Sequence, residues 1–250
     1  MPELDALRAE LAEIDKKIMA LVGRRNEIAK VIGEEKAKTG AAVVVPPVER
    51  IVEQRYIDAG AKHGVTANAA FRIARAVVDE SVDVQGRLPR RQNPQKICIV
   101  GGNGGMGRWL ANFLSAREHV ISICDPHPEG SAFPAVSLEE GAKADVIILA
   151  TPVPVSDSVL EEVLALSGPE TIIFDILSVK APLVPRLREA GRAGRKVCSV
   201  HPMFGPSAAS AAGRNVIICD CGSKEAVEEA ELLFNVSDIL KMEVEEHDKA

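Results

Sequence analysis

Apolar residues at Leu4, Leu7, Leu11, Ile14, Ile18, Leu21, Ile28 and Ile32 recur at steps of three and four, the spacing of a helix with a narrow apolar seam. No proline interrupts the run between Glu3 and Val45, so the pattern predicts one helix from Pro2 to about Thr39. At 1.5 Å per residue it is roughly 57 Å long, whereas a compact domain of ~90 residues has a radius of gyration near 12 Å. Such a helix cannot bury its own seam, and an intertwined homodimer is the natural way to cover it. Two shorter helices follow, from about Val48 to Lys62 and from about Asn68 to Arg87.

The pattern changes near residue 90. Leu88-Pro89-Arg90-Arg91-Gln92-Asn93-Pro94 has two prolines and no apolar period, which marks a linker over 89–94 between a helical domain, 1–88, and a second domain, 95–250. In the second, short β-branched runs at 96–100, 120–124, 146–150, 171–175, 196–200 and 215–219 alternate with helical stretches. That alternation predicts a Rossmann-type, doubly wound α/β sheet.

Composition narrows the function classes. Of 250 residues, 46% are hydrophobic and 26% charged, which excludes a disordered chain. With 3% aromatic residues and a net charge of −6, neither a base-stacking surface nor a phosphate-backbone binder is expected. The first 90 residues carry 15 Lys/Arg against 14 Asp/Glu and the remaining 160 carry 15 against 22, so the acidity belongs to the second domain. No signal peptide or apolar run of about 20 residues is present, which leads to the expectation of a cytoplasmic protein that binds neither membrane nor nucleic acid. Cys98, Cys124, Cys198 and Cys219 sit in β-branched runs and are expected as free core residues. The Cys219-x-Cys221 pair has no second Cys or His cluster beside it, and no metal site is assigned.

One position breaks the helical seam. Arg25 stands where the rhythm demands an apolar residue, and a guanidinium there must be paired or must await an anion. Lys36 lies about 20° round the helix from it and ~16 Å along it, while Arg8 is about 100° away and points elsewhere. Ser81 and Gln85 are spaced i,i+4 and share a face of the last helix.

Together with Leu7-Arg8, Arg24-Arg25-Asn26-Glu27-Ile28-Ala29, Gly33, Lys36, Glu49 and Ser81-Val82-Asp83-Val84-Gln85, these positions resemble the all-helical chorismate mutase domain across residues 3 to 88. The resemblance implies an intertwined three-helix dimer with two sites, in which Arg8 acts in trans and Arg25, Lys36, Glu49, Ser81 and Gln85 act in cis. Family members carry Arg-Glu at the head of the second helix where this chain has Val48-Glu49, with an arginine displaced to Arg50. The residue types suit a pericyclic rearrangement of chorismate to prephenate, which needs no nucleophile. It needs a clamp on two carboxylates and donors for the ether oxygen. Arg8 and Arg25 suit the carboxylates, Lys36 and Gln85 the ether oxygen, and Glu49 that oxygen or the ring hydroxyl.

In the second domain, Lys96-Ile97-Cys98-Ile99-Val100 runs into Gly101-Gly102-Asn103-Gly104-Gly105-Met106-Gly107. This is GxGxxG on Gly102, Gly104 and Gly107, with Met106 inside it, in strand, turn and helix order. The next predicted strand ends at Asp125, where a carboxylate accepts the ribose hydroxyls of NAD and repels the extra phosphate of NADP. Thr151-Pro152, Ser178-Val179-Lys180 and His201-Pro202-Met203-Phe204-Gly205-Pro206 follow later strand candidates, on the ligand side of a doubly wound sheet.

Gly102 to Gly107, Asp125, Ser178-Val179-Lys180 and the His-Pro-Met-Phe-Gly-Pro string resemble prephenate dehydrogenase, and the domain order resembles the bifunctional chorismate mutase/prephenate dehydrogenase family of tyrosine biosynthesis. The resemblance implies NAD as cofactor and chorismate and prephenate as substrates. It also implies that His201 bonds the ring hydroxyl during oxidative decarboxylation to 4-hydroxyphenylpyruvate, with Ser178 orienting His201 or the substrate. In that family a further helical domain closes the cleft, and this chain is expected to stop before it, leaving the second activity incomplete. The alternative is a monofunctional mutase carrying a regulatory domain that binds NAD or tyrosine.

Overall fold

The computed structural model describes residues 2–39, 41–86 and 94–249, and the chain divides into two units, Met1–Leu88 and Pro89–Ala250. Residues 87–93, which hold most of the predicted linker, lie outside the described residues.

The first unit is three helices: α1 (Pro2–Thr39), α2 (Pro46–Ala61) and α3 (Ala67–Gly86). α1 is a single uninterrupted helix, as its apolar period predicts. α2 starts two residues earlier than the apolar pattern indicates because Pro46 and Pro47 occupy its first turn, where a missing N–H leaves no bond unmade. At the head of α3 the Ala69 N–H donates to Thr66 Oγ1 at 3.3 Å, an N-terminal cap. α3 packs against both other helices and buries Ala70, Ala74, Val78 and Val82. Among the described side chains of α1 the buried residues are Ala29 and Gly33, both in its C-terminal half. The seam up to its middle is left in water: Leu7 is 54%, Leu11 61% and Leu21 71% exposed.

The second unit is a seven-stranded sheet: β1 (Lys96–Val100), β2 (Val120–Cys124), β3 (Val146–Leu149), β4 (Ile172–Asp175), β5 (Lys196–Pro202), β6 (Asn215–Asp220) and β7 (Asp238–Glu243). The helices between them are α4 (Gly105–Ser115), α5 (Leu138–Gly141), α6 (Val153–Leu166), α7 (Val184–Arg192) and α8 (Lys224–Leu233), with α9 (Val244–His247) after the last strand. The order β2-β1-β3-β4-β5-β6-β7 is parallel except between β5 and β6. The chain turns outward to β2 and back to β3, so the switch point of this doubly wound sheet lies between β1 and β3. β3 is buried along its whole length and β1 after its first residue, as parallel strands covered on both faces must be. Cys98, Ile147, Leu149 and Ile173 pack there against Leu160 and Val163 of α6 and Leu187 of α7.

Two departures from the sequence pattern matter. β7 has no β-branched run because it is an edge strand carrying Lys241 and Glu243, residues that suit an unpaired edge. β5 continues two residues past Val200, pairing His201 with Ile217 and Pro202 with Val216 of β6. His201 is therefore held by a strand and not by a loop. All five cysteines are free; burial pushes the thiols of Cys98 and Cys219 up to about 11, which leaves them as inert packing groups.

Candidate active sites

The three helices of the first unit enclose a cavity of about 330 Å³. Its wall is largely apolar, from Ile28, Ile32, Val43, Val52, Val78 and Val82, and its polar groups are Arg25, Lys36, Glu49, Ser81 and Gln85. Residues spread over sixty positions thus meet in one space. The Arg25 guanidinium donates to Ser81 Oγ and to the Val77 carbonyl, and Ser81 Oγ donates back to Val77 O at 2.9 Å. Lys36 Nζ donates to Val43 O at 2.8 Å. Gln85 is buried; its Nε2 donates to Ser81 O at 3.1 Å, and its Oε1 has no partner among the described residues. A second amide hydrogen and an acceptor are left for a ligand.

Glu49 is held by a residue that the sequence reading did not single out. Arg75 of α3 bonds Glu49 at 3.3 Å, Glu53 at 3.2 Å and Asp79 at 3.0 Å. Only the i,i+4 pair with Asp79 is visible in the sequence; the rest needs α2 and α3 side by side. The carboxylate of Glu49 is thereby answered by Arg75, and the cations that line the cavity are Arg25 and Lys36. Arg8 does not line this cavity: it is exposed, pairs with Asp5 at 3.4 Å, and stands ~25 Å from Arg25 along α1. Val48 lines the cavity and Arg50 does not.

In the second unit the chain leaves β1 through a turn that admits no side chain at Gly101, Gly102 or Gly107. Gly101 has φ +80°, and a Cβ on Gly107 would lie 2.3 Å from Gly101 O and 2.7 Å from Gly102 Cα. A side chain on Gly102 would meet Ile123 at 2.5 Å. The turn thus lies flat against β2 and starts α4 at Gly105, with first-turn amides that have no intrahelical acceptor and favour an anion. Met106 sits in that first turn, half-buried. Asp125, at the end of β2, accepts from the amides of Asn103 and His127, each at 2.9 Å. Asn103, not singled out from the sequence, ties the two loops further by donating to the carbonyls of His127 and Glu129. Thr151 and Pro152 lead from β3 into α6, with Thr151 Oγ1 2.9 Å from Ser156 Oγ. These residues fit a dinucleotide: a cradle closed to a Cβ at Gly101, Gly102 and Gly107, a helix N-terminus and a carboxylate one strand away.

The segment after His201 lies against the same cradle. Pro206 is the atom group a Cβ on Gly105 would touch, at 3.1 Å, and Trp109 of α4 stacks edge-on to Phe204 and donates to Ala208 O at 2.7 Å. His201 Nδ1 is 3.0 Å from His247 Nε2. Burial, then the Lys180 ammonium and the His247 ring, push His201 below the ordinary histidine value, against Asp175 and Asp248. Ser178 is exposed on the β4–α7 loop and makes no hydrogen bond through its side chain among the described residues. Lys180 is wholly buried and bonds Asp175 at 2.9 Å and Val200 O at 2.7 Å, so its charge serves the junction of β4 and β5. Among the described residues no cluster of three or more metal-ligating side chains occurs, and no helix is long and apolar enough to cross a membrane.

Residues 7–86 match the family model for chorismate mutase type II and residues 130–241 that for the prephenate dehydrogenase nucleotide-binding domain. The chain is 28% identical over 224 residues to the T-protein of Haemophilus influenzae, covering 88% of this chain and 57% of that protein. It is 30% identical over 229 residues to the T-protein of Enterobacter agglomerans, covering 90% and 59%. The chain thus spans under three-fifths of the length of these relatives. Among solved structures, prephenate dehydrogenase from A. aeolicus, in complex with hydroxyphenyl propionate and NAD⁺, superposes with a TM-score of 0.53 at 22% identity over 62% of each chain. Synechocystis arogenate dehydrogenase does so at 0.52, with 20% identity and the same coverage.

Proposed function

We propose that this chain, a member of the chorismate mutase/prephenate dehydrogenase family, rearranges chorismate to prephenate in its helical unit. Its sheet unit takes part in the NAD-dependent conversion of prephenate to 4-hydroxyphenylpyruvate, the two steps forming part of tyrosine biosynthesis in the cytoplasm. The observation that carries the first activity is the convergence of Arg25, Lys36, Glu49, Ser81 and Gln85 on one 330 Å³ cavity.

The rearrangement breaks one C–O bond and forms one C–C bond within a single molecule, so the protein supplies geometry and charge. Arg25 clamps a carboxylate. Lys36 and the free N–H of Gln85 stabilise the ether oxygen as charge grows on it, and Glu49, oriented by Arg75, accepts the ring hydroxyl. The second carboxylate needs Arg8, whose distance from its own cavity fits action across a homodimer. The bare seam of Leu7, Leu11 and Leu21 supports the same arrangement.

In the sheet unit the α4 N-terminus and Asp125 would hold the pyrophosphate and adenosine ribose of NAD, with Gly102, Gly104, Met106 and Gly107 shaping the turn and Thr151 and Pro152 bordering it. NAD⁺ supplies the hydride acceptor when bound. His201 accepts the hydrogen bond of the ring hydroxyl and draws off its proton as that carbon is oxidised, while loss of CO₂ makes the ring aromatic. Ser178, exposed on the β4–α7 loop, orients the substrate.

Supplying chorismate with and without NAD⁺, and following prephenate, 4-hydroxyphenylpyruvate and NADH, tests both steps. Prephenate is expected in both arms and NADH only in the arm that contains NAD⁺. Absence of prephenate overturns the mutase function; NAD⁺ binding without NADH from added prephenate overturns the dehydrogenase function of this chain.

A further inference from the structure

We propose that His247 and Asp248 are positioning residues that hold His201 in a single tautomer, hydrogen on Nδ1 and Nε2 bare, so that it meets the substrate hydroxyl as a proton acceptor. The inference rests on the dehydrogenase function proposed above and extends it to residues beyond the stretch that matches the nucleotide-binding domain.

Asp248 anchors the chain of hydrogen bonds that ends at His201. Its carboxylate takes the Lys180 amide on both oxygens, at 2.9 and 3.1 Å, and the Ala181 amide at 2.7 Å. Against the opposing cost of burial, the Lys180 amide, the His247 ring and the Ala181 amide hold Asp248 below the usual carboxylate range. An ionised carboxylate only accepts. The 2.8 Å contact between Asp248 Oδ1 and His247 Nδ1 therefore has its hydrogen on His247. With that ring neutral, His247 Nε2 is bare, and the 3.0 Å contact to His201 Nδ1 has its hydrogen on His201. A neutral His201 then has a lone pair at Nε2, the one ring nitrogen left for a ligand.

The fold makes this chain of bonds rigid at both ends. His201 is paired in β5, His247 is buried in α9, and Asp248 is tied to the β4–α7 loop that carries Ser178. The rings stand 5.0 Å apart at 55°, an edge-directed contact that suits nitrogen-to-nitrogen bonding. The other charges near His201 are Lys180 and Asp175, which neutralise each other at 2.9 Å and leave orientation to His247.

Nitrogen-15 spectra of the histidine rings in the full chain, recorded at about pH 8 where neutral rings dominate, read the tautomers without substrate. The unmodified chain is expected to show His201 protonated at Nδ1. Asp248→Asn presents an amide donor to His247 Nδ1, reverses both bonds and moves the His201 hydrogen to Nε2. His247→Gln, whose side-chain oxygen reaches the place of Nε2, retains the Nδ1–H form, whereas His247→Leu loses it. With NAD⁺ and prephenate, Asp248→Asn and His247→Leu lower kcat by about 10²–10⁴-fold, the scale of a wrong-tautomer substitution in a hydrolase triad. His247→Gln restores most of the rate, and NAD⁺ affinity is unchanged throughout. An Nε2–H tautomer in the unmodified chain overturns the inference, as does an Nδ1–H form that persists in folded His247→Leu. The expected tautomers in a chain that makes no NADH uphold the relay and count only against the dehydrogenase function.

Discussion

Lys180 Nζ lies 2.9 Å from Asp175 Oδ1, and both side chains are fully removed from solvent. The same ammonium donates to Val200 O at 2.7 Å, pinning the end of β4 to β5 one residue before His201. Removing the cation alone leaves a buried carboxylate unanswered, at a cost of about 3–5 kcal/mol. Lys180→Met is expected to lower the urea midpoint of the sheet unit, followed by the fluorescence of the single tryptophan, Trp109. Adding Asp175→Leu recovers most of the loss, because a matched apolar pair replaces a buried ion pair at little cost.

Acid should switch off His201 later than an ordinary histidine. Its folded value is lowered, first by burial and then by Lys180 and His247, so the ring stays neutral below the usual value of about 6.5. The pH profile of kcat/KM for NADH formation is expected to lose its acidic limb below that value. An inflection above it contradicts the assignment. The unfolded chain binds a proton at about 6.5 and the folded ring does not, so stability declines as pH falls from there toward the folded value.

Arg8 and Arg25 are separated by ~25 Å on one helix, yet both are assigned to one substrate. Arg25→Ala and Lys36→Ala are each expected to lower mutase turnover by about 10²-fold or more, with helical content by circular dichroism unchanged. Mixing Arg8→Ala with Arg25→Ala chains after brief denaturation should restore part of the activity, since one site of each mixed dimer is intact. No restoration argues that Arg8 does not act across the dimer.

Val48 lines the cavity and is 55% exposed, so a longer side chain has room to turn inward. Val48→Arg adds a charge-assisted donor near the carboxylates and is expected to lower KM for chorismate about tenfold, equivalent to ~1.4 kcal/mol. Steady-state kinetics at fixed ionic strength measures this, and an unchanged KM sinks it.

Gly107→Ala tests the nucleotide cradle. Its Cβ would lie 2.3 Å from Gly101 O, backbone that cannot move aside without lifting α4 from the turn. NAD⁺ binding by calorimetry is expected to vanish while chorismate turnover in the other unit persists.

Periodicity and special residues were enough to read much of this protein. The three-and-four apolar rhythm of α1, with no proline to stop it, leaves no other local structure for Pro2–Thr39, and a half-buried Arg25 inside the seam marks a site because a charge taken from water needs a partner. The glycines before α4 announce a dinucleotide turn because their requirement is steric and local. What tertiary structure alone decided are the partners. Arg75 reaches Glu49 only when α2 lies beside α3. His201 is a strand residue only because β6 runs antiparallel to it. A histidine 46 residues further on becomes its neighbour only because α9, following a β7 that runs antiparallel to β5, brings the chain back beside His201 and the β4–α7 loop. Local patterns carry the energetics of single elements, whereas a hydrogen bond between distant side chains depends on how those elements pack, and no spacing along the chain records it.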